Sequence, residues 1–367
     1  MRPASMGPDM RRGTLDSLTD VRGVRVGSAE DASRSTGVTV VTFDRPVQAA
    51  AEVRGGAPGT YHTDALGPQG RFGWLSALFL SGGSTYGLDA SRGIRRALWE
   101  RGEGTPIFGR APKVIGISGA ILFDLGKQDP GTVDYDALGY RATRAASRRP
   151  VVQGSVGAGA GAKVAKLLGP GRSSKGGLGS ASLSIGGHGH LGVLVVANSV
   201  GFLQDPLSGS LITSPRASRG GAMTWEDVWK ECSRKPSVGS MAKGTTLAIV
   251  VTDLPLPRVS LFRLAAYAHD GIARVVVPAH TSTDGDAVFV ASTGGTGRWD
   301  RTAREETRDA RSSPTVDALA IPCLELIRVS LLRAVQGVPL LPDPGSERKS
   351  RGRSPPQVVS AGRRSEA

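Results

Sequence analysis

The stretch Lys243-Gly244-Thr245-Thr246-Leu247-Ala248-Ile249-Val250-Val251-Thr252-Asp253 carries the sharpest chemical signal in this chain. A hydroxyl residue follows a glycine, and a run of strand-forming residues starts at once. Breakage of the Gly244–Thr245 bond would make Thr245 a new N-terminus. Its hydroxyl could then attack an acyl carbon, with its own free amine as the base. The same stretch also reads as a turn glycine before a buried strand, so the junction needs company before it means chemistry.

Other candidates are plain when taken singly. Tyr86, flanked by glycine at a helix start, reads as packing. Lys163, at the end of a glycine run, reads as surface. Asn198, ending a strand, reads as a turn. His280 precedes Thr281-Ser282-Thr283-Asp284-Gly285-Asp286, whose two carboxylates could form a calcium loop, but the full ligand spacing is missing. His188 and His190 flank Gly189 between strand signals, which points to a hairpin turn rather than a metal site. The run Gly157-Ala158-Gly159-Ala160-Gly161 could mimic a dinucleotide-binding turn. That fingerprint needs an acidic residue about 20 positions later, and Lys175-Gly176-Gly177-Leu178-Gly179 supplies none. Close backbone approach is the better use of these glycines.

The elements that would position these residues mix strands and helices. Short apolar runs between Leu15 and Val41 read as strands in hairpins. Trp74–Leu80 is a strand that runs through Ser81-Gly82-Gly83-Ser84 into a helix from about Tyr86 to Arg101, with Leu88, Ile94 and Leu98 on one side. Val114–Leu125 and Leu191–Val200 are strand-like. Gln128–Arg149 reads as a connecting or helical surface segment. Pro206–Lys243 reads as a mobile linker with a short helix around Trp225–Lys230. A strand over Thr245–Thr252 leads to a helix over about Pro257–Arg274, with Leu261, Leu264, Ala265, Ala268 and Ile272 in one stripe. Ala287–Ser292 is a further strand before a long helix from about Thr315 to Gln336. Hairpins early and helices flanking predict layered sheets covered by helices.

Composition narrows the field. The chain has 367 residues, 51 of them glycine, with 39% hydrophobic and only 5% aromatic content. It lacks the aromatic platforms of a single-strand nucleic-acid binder. No apolar run reaches the roughly 18–20 residues of a membrane helix, and the first dozen residues do not look like a secretory signal. Cys232 and Cys323 stand far apart, so a disulfide framework or zinc site is not expected and a reducing compartment fits. The formal net charge is +14. Part of it sits in Pro342–Ala367, a tail too polar to offset its ordering entropy. That tail is expected to be disordered and could touch nucleic acid or acidic surfaces electrostatically.

Taken together, the motifs resemble those of the DmpA-type aminopeptidases and nylon-oligomer hydrolases, a family of self-processing N-terminal-nucleophile hydrolases. The resemblance rests on Val53-Arg54-Gly55-Gly56-Ala57-Pro58-Gly59-Thr60, Leu80-Ser81-Gly82-Gly83-Ser84-Thr85-Tyr86-Gly87-Leu88 and Gln153-Gly154-Ser155-Val156-Gly157-Ala158-Gly159. It continues through Lys175-Gly176-Gly177-Leu178-Gly179-Ser180, Val195-Val196-Ala197-Asn198-Ser199-Val200-Gly201, Gly244-Thr245-Thr246-Leu247 and His280-Thr281 to Asp284-Gly285-Asp286. These follow the family's order over roughly residues 15–335.

The resemblance implies an α/β fold, a four-layer αββα sandwich, forming a single domain over 14–341 between a flexible leader (1–13) and the basic tail (342–367). It implies self-cleavage into 1–244 and 245–367 and a homo-oligomer, a tetramer or larger, of processed heterodimers. Thr245 would be the nucleophile and Asn198 an oxyanion donor, with Tyr86 lining the pocket and Lys163 beside the Thr245 hydroxyl. Asp284 and Asp286 would orient or charge-balance the new amine. A nearby cation would favour the alkoxide and keep the amine neutral, while the carboxylates would raise the amine pKa. No metal or organic cofactor is implied, the substrate would be a small peptide or amide, and the location would be cytoplasmic.

The resemblance is split on one point. The nylon-oligomer hydrolases have Asn before the nucleophile, and the aminopeptidases have Gly but usually a Ser nucleophile. Here Gly244 precedes Thr245. Glycine there would help the strained backbone of an N-to-O acyl shift. An acyltransferase of the ornithine acetyltransferase type is the alternative, and an uncleaved basic binding protein is a third reading.

Overall fold

The computed structural model describes residues 10–33, 35–71, 73–106, 113–125, 130–186, 188–217, 221–234, 243–294 and 316–336. The basic tail expected at 342–367 lies outside the described residues. In chain order the principal strands are β1 (Met10–Arg12), β2 (Val24–Asp31), β3 (Thr36–Val53), β4 (Thr60–Tyr61), β5 (Trp74–Ser81), β6 (Ile117–Ile121), β7 (Gly177–Ile185), β8 (Gly189–Asn198), β9 (Thr245–Thr252) and β10 (Ala287–Ser292). The helices are α1 (Ala90–Glu100), α2 (Tyr135–Ala145), α3 (Trp225–Arg234), α4 (Arg258–Val275) and α5 (Ala320–Gln336).

Hydrogen bonds run through β1-β7-β8-β9-β10-β3-β5-β6-β4, with β2 also on β3. The 18-residue β3 joins two layers. Its first half pairs with β2 and β5, its last six residues pair with β10, and the register shifts between Thr42 and Val47. The two layers then face each other. Leu194, Val196, Leu247, Ile249 and Phe289 from one meet Val41, Phe43, Leu78 and Leu80 from the other.

Period-two alternation sends the intervening residues outward. Val193, Val195, Ala248, Val250, Val288 and Val290 pack under α4 and α5. Val38, Val40, Ala77 and Phe79 pack under α1 and α2. The result is the four-layer αββα sandwich implied by the resemblance. The predicted stripe Leu261, Leu264, Ala265, Ala268 and Ile272 is fully buried on α4. Two glycines let α5 lie close on β7: a Cβ on Gly177 would come 2.4 Å from Ala334 O, and one on Gly179 1.9 Å from Ser330 O.

Three sequence expectations change. Residues 10–12 of the expected leader form β1, because their backbone finds the open edge of β7; residues 1–9 lie outside the described residues. A helix expected to begin near Tyr86 starts at Ala90, after a 3-10 turn over Ser84–Asp89. The segment 128–149 contains α2, whose Leu138 and Ala142 pack against α1. Among the described residues no helix is long and apolar enough to cross a membrane.

Candidate active site

One edge of the first layer collects the candidate chemistry, and the topology explains why. β9 and β10 are parallel neighbours joined through α4, so both begin at the same edge. β8 is antiparallel to β9, so it ends there. Thr245 therefore opens β9 beside Asn198, the last residue of β8, as its register partner. The loop entering β10 brings Asp284 alongside Gly244 through a parallel bridge.

Thr245 is buried, and its Oγ1 donates to the carbonyl of Gly244. That carbonyl also accepts the N–H of Gly285 at 3.0 Å. Gly244 N–H donates to Thr283 O at 3.2 Å. The scissile-bond candidate is thus held on both sides by one loop. Gly285 must stay small, because a Cβ there would sit 3.1 Å from Thr245 Oγ1 and 2.9 Å from Ala57 O.

The two carboxylates do different things. Asp286 Oδ1 accepts the Thr246 N–H at 2.5 Å and so fixes the start of β9. Its Oδ2 accepts the His280 backbone N–H at 3.0 Å and lies 2.7 Å from His280 Nδ1. Asp284 Oδ1 accepts Val200 N–H at 3.1 Å, and Oδ2 accepts Thr281 N–H at 3.1 Å and Thr281 Oγ1–H at 2.6 Å. Burial and the neighbouring Asp286 charge push the Asp284 carboxyl above the usual range. Behind them the His280 ring meets His269 edge-on at 4.9 Å.

Asn198 is buried and hydrogen-bonded at both ends of its amide. Its Oδ1 accepts the Lys163 backbone N–H at 2.9 Å and Lys166 Nζ at 3.1 Å, while Nδ2 donates to Phe123 O at 3.2 Å. Two donors on Oδ1 fix which end of the amide is oxygen. The second Nδ2 hydrogen has no acceptor among the described residues.

The side chains of two expected site residues lie outside this cluster. Lys163 reaches Asn198 only through its backbone, and its side chain is exposed. Lys166 takes the inner place: it is buried, and Nζ also donates to Asn198 O at 2.6 Å. Ala165 adopts a left-handed φ of 57°, a kink between the two lysines that no sequence periodicity announces. Burial pulls the Lys166 ammonium down to about 7, against the opposing pull of Asp284, Asp124 and Asp286. Tyr86 lies 47% exposed on its 3-10 turn and makes no hydrogen bond to Thr245, Asn198 or either aspartate. The aromatic residue at the site is Phe123, over whose ring Lys243 Nζ sits at 4.7 Å.

Gly244 has a steric reason to be glycine. Its φ is not left-handed; instead a Cβ would fall 2.2 Å from Asp284 Oδ1 and 2.4 Å from Val200 N. The glycine run at 157–161 serves close approach, since a Cβ on Gly159 would meet Leu178 N at 2.4 Å.

A hydroxyl bonded to the carbonyl of the preceding glycine, with an asparagine, a buried lysine and two aspartates around it, holds the residue types that acyl transfer requires. The sequence profile of peptidase family S58 matches residues 16–338. The chain belongs to that family. An aminopeptidase of Mycobacterium leprae (strain TN), itself uncharacterized, is 32% identical over 361 residues, covering 89% of this chain and 93% of its own length. The 6-aminohexanoate-oligomer endohydrolase of Kocuria sp. (strain KY2) is 31% identical over 278 residues, 75% of this chain and 74% of its own.

Among solved structures, the L-aminopeptidase D-Ala-esterase/amidase of Ochrobactrum anthropi, described as a variant of the Ntn hydrolase fold, superposes with a TM-score of 0.64 at 21% identity, covering 88% of this chain and 86% of its own. A Burkholderia sp. beta-aminopeptidase gives 0.62 at 24%, with 88% and 87% covered. This S58 peptidase therefore has the Ntn hydrolase fold and is a hydrolase of peptide or amide bonds. Family membership does not favour the acyltransferase alternative.

Proposed function

We propose that this S58 peptidase cleaves itself between Gly244 and Thr245 and then hydrolyses small peptides or amides with Thr245 as nucleophile. The observation that carries this is the hydroxyl of Thr245 bonded to Gly244 O while Gly285 N–H polarises the same carbonyl. In processing, Oγ1 bonds to the Gly244 carbonyl carbon, the bond from that carbon to Thr245 N breaks, and the hydroxyl proton passes to that nitrogen. Water then hydrolyses the ester, releasing the Gly244 carboxylate and restoring the hydroxyl.

In turnover the freed amine takes the Oγ1 proton as Oγ1 attacks the substrate carbonyl. The amine leaving group departs with that proton, and water splits the acyl-enzyme. The spare Nδ2–H of Asn198 stabilises the oxyanion, and Lys166 holds the amide in place. Asp284 and Asp286 keep the nucleophile's strand and its loop in register. The reading includes a homo-oligomer of processed heterodimers, a tetramer or larger, and a cytoplasmic location that suits two free thiols.

Intact mass of the purified protein under denaturing conditions tests the proposal. Two fragments are expected, the smaller beginning at Thr245. A single chain that stays whole over days and hydrolyses no amide would overturn it. Light scattering of the processed protein tests the assembly.

A further inference from the structure

We propose that His280 is a positioning residue for the acyl-transfer reaction, acting through Asp286 on the strand start that presents Thr245. The inference deepens the proposed role of Thr245 and rests on it.

The chain of contacts is short. Thr246 N–H, one residue past the nucleophile, donates to Asp286 Oδ1 at 2.5 Å. Asp286 is buried, and a buried carboxylate needs donors on its oxygens. His280 gives Oδ2 two of them, its backbone N–H at 3.0 Å and its ring Nδ1 at 2.7 Å. A carboxylate only accepts, so Nδ1 carries the hydrogen. One residue thus grips one oxygen twice, and the other oxygen serves the peptide N–H that follows Thr245.

Two features of His280 are costly for a residue that only fills space. Its φ is 57°, in the left-handed region that bulky residues avoid. Strain of this kind persists where the surroundings over-determine it, and it clusters at functional sites. Its Nε2 is buried and has no partner among the described residues. An apolar side chain would avoid that second cost. What histidine supplies here is therefore the Nδ1–H on Asp286.

His269 closes the other side of the ring, edge-on at 4.9 Å. It is fully buried, with Nε2 3.0 Å from Glu52 O, and burial holds this imidazole down at about 4. His280 therefore packs on a neutral ring rather than on a second cation. Loss of the Nδ1 bond would free Oδ2 and let the Asp286 carboxylate rotate off Thr246. Thr245 would then shift relative to Asn198, and attack would suffer before binding.

The test compares His280→Gly with His280→Asn, two residues that tolerate a left-handed φ. Glycine keeps the backbone N–H and deletes the ring donor. Asparagine restores a side-chain N–H without the ring. Each chain is made by cell-free synthesis, its self-cleavage is followed by mass spectrometry, and the processed form is assayed on L-alanyl p-nitroanilide. His280→Gly is expected to slow self-cleavage and lower kcat by about 10- to 100-fold, with KM changing by less than about 3-fold. His280→Asn is expected to recover most of that loss in both rates. If circular dichroism shows the glycine variant unfolded, His280→Leu, which fills the ring's space without a donor, takes its place with the same expectation. A donorless variant that folds and cleaves at the parent rate, or an asparagine variant as slow as the donorless one, overturns the role of His280 and leaves Thr245 standing. A parent chain that neither cleaves nor turns over overturns the role of Thr245, and this inference with it.

Discussion

Asn198, the last residue of β8, is the antiparallel register partner of Thr245, the first residue of β9. This pairing sets the proposed oxyanion donor beside the proposed nucleophile through backbone hydrogen bonds that do not depend on either side chain. Variants at both positions should therefore keep the sandwich and lose chemistry.

Thr245→Ala should leave one full-length chain with no amide hydrolysis, because no hydroxyl remains to reach the Gly244 carbonyl. Thr245→Ser keeps that oxygen and should still cleave. Mass spectrometry decides. A Thr245→Ala protein that yields a fragment starting at residue 245 would end the assignment.

Asn198→Ala should process slowly and lower kcat by about 100-fold or more, the usual consequence of losing an oxyanion donor. Lys166→Met releases two bonds on Asn198 while leaving its amide present. A small displacement of a positioned group can cost about 100-fold, so kcat should fall by about 10- to 100-fold with KM changing less. Lys163→Met, with its exposed side chain, should behave as the parent. Equal losses for Lys163 and Lys166 would contradict the inward place of Lys166.

Gly244→Ala should slow self-cleavage by at least about 10-fold, since its Cβ meets the Asp284 and Val200 wall. The fraction of uncleaved chain followed over time measures this. Processing at the parent rate would mean that the wall gives way.

Stability should depend on pH through His269. Burial holds this imidazole down at about 4, from 6.5, and its Nε2 lies 3.0 Å from Glu52 O. Between those values the unfolded chain carries a proton that the folded chain lacks, so stability falls as pH drops through the window from 6.5 toward 4. The loss by pH 5 is about 2 kcal/mol. Urea midpoints at pH 7 and pH 5 should differ less in His269→Gln than in the parent. Identical differences in both proteins would remove His269 as the source.

Much of the architecture was legible in the chain itself, because period-two and helical patterns report burial directly. Thr245–Thr252 and Ala287–Ser292 were readable to the residue as strands, and the α4 stripe as a helix face. The resemblance carried Thr245, Asn198, Asp284 and Asp286 as one group, and the fold gathers those four at one sheet edge.

Other features were decided by tertiary structure alone. Lys163 and Lys166 lie three positions apart with a left-handed Ala165 between them, and only the Lys166 side chain is buried. Tyr86 sits in a glycine-rich motif, yet its 3-10 turn leaves it 47% exposed, and Phe123 comes instead from the segment that follows β6. Gly244 is a glycine because Asp284 and Val200, 40 and 44 positions away along the chain, close against its α-carbon. Local pattern encodes which face of an element is buried. Which distant side chain meets that face depends on how strands are ordered and paired, and that information is in the fold.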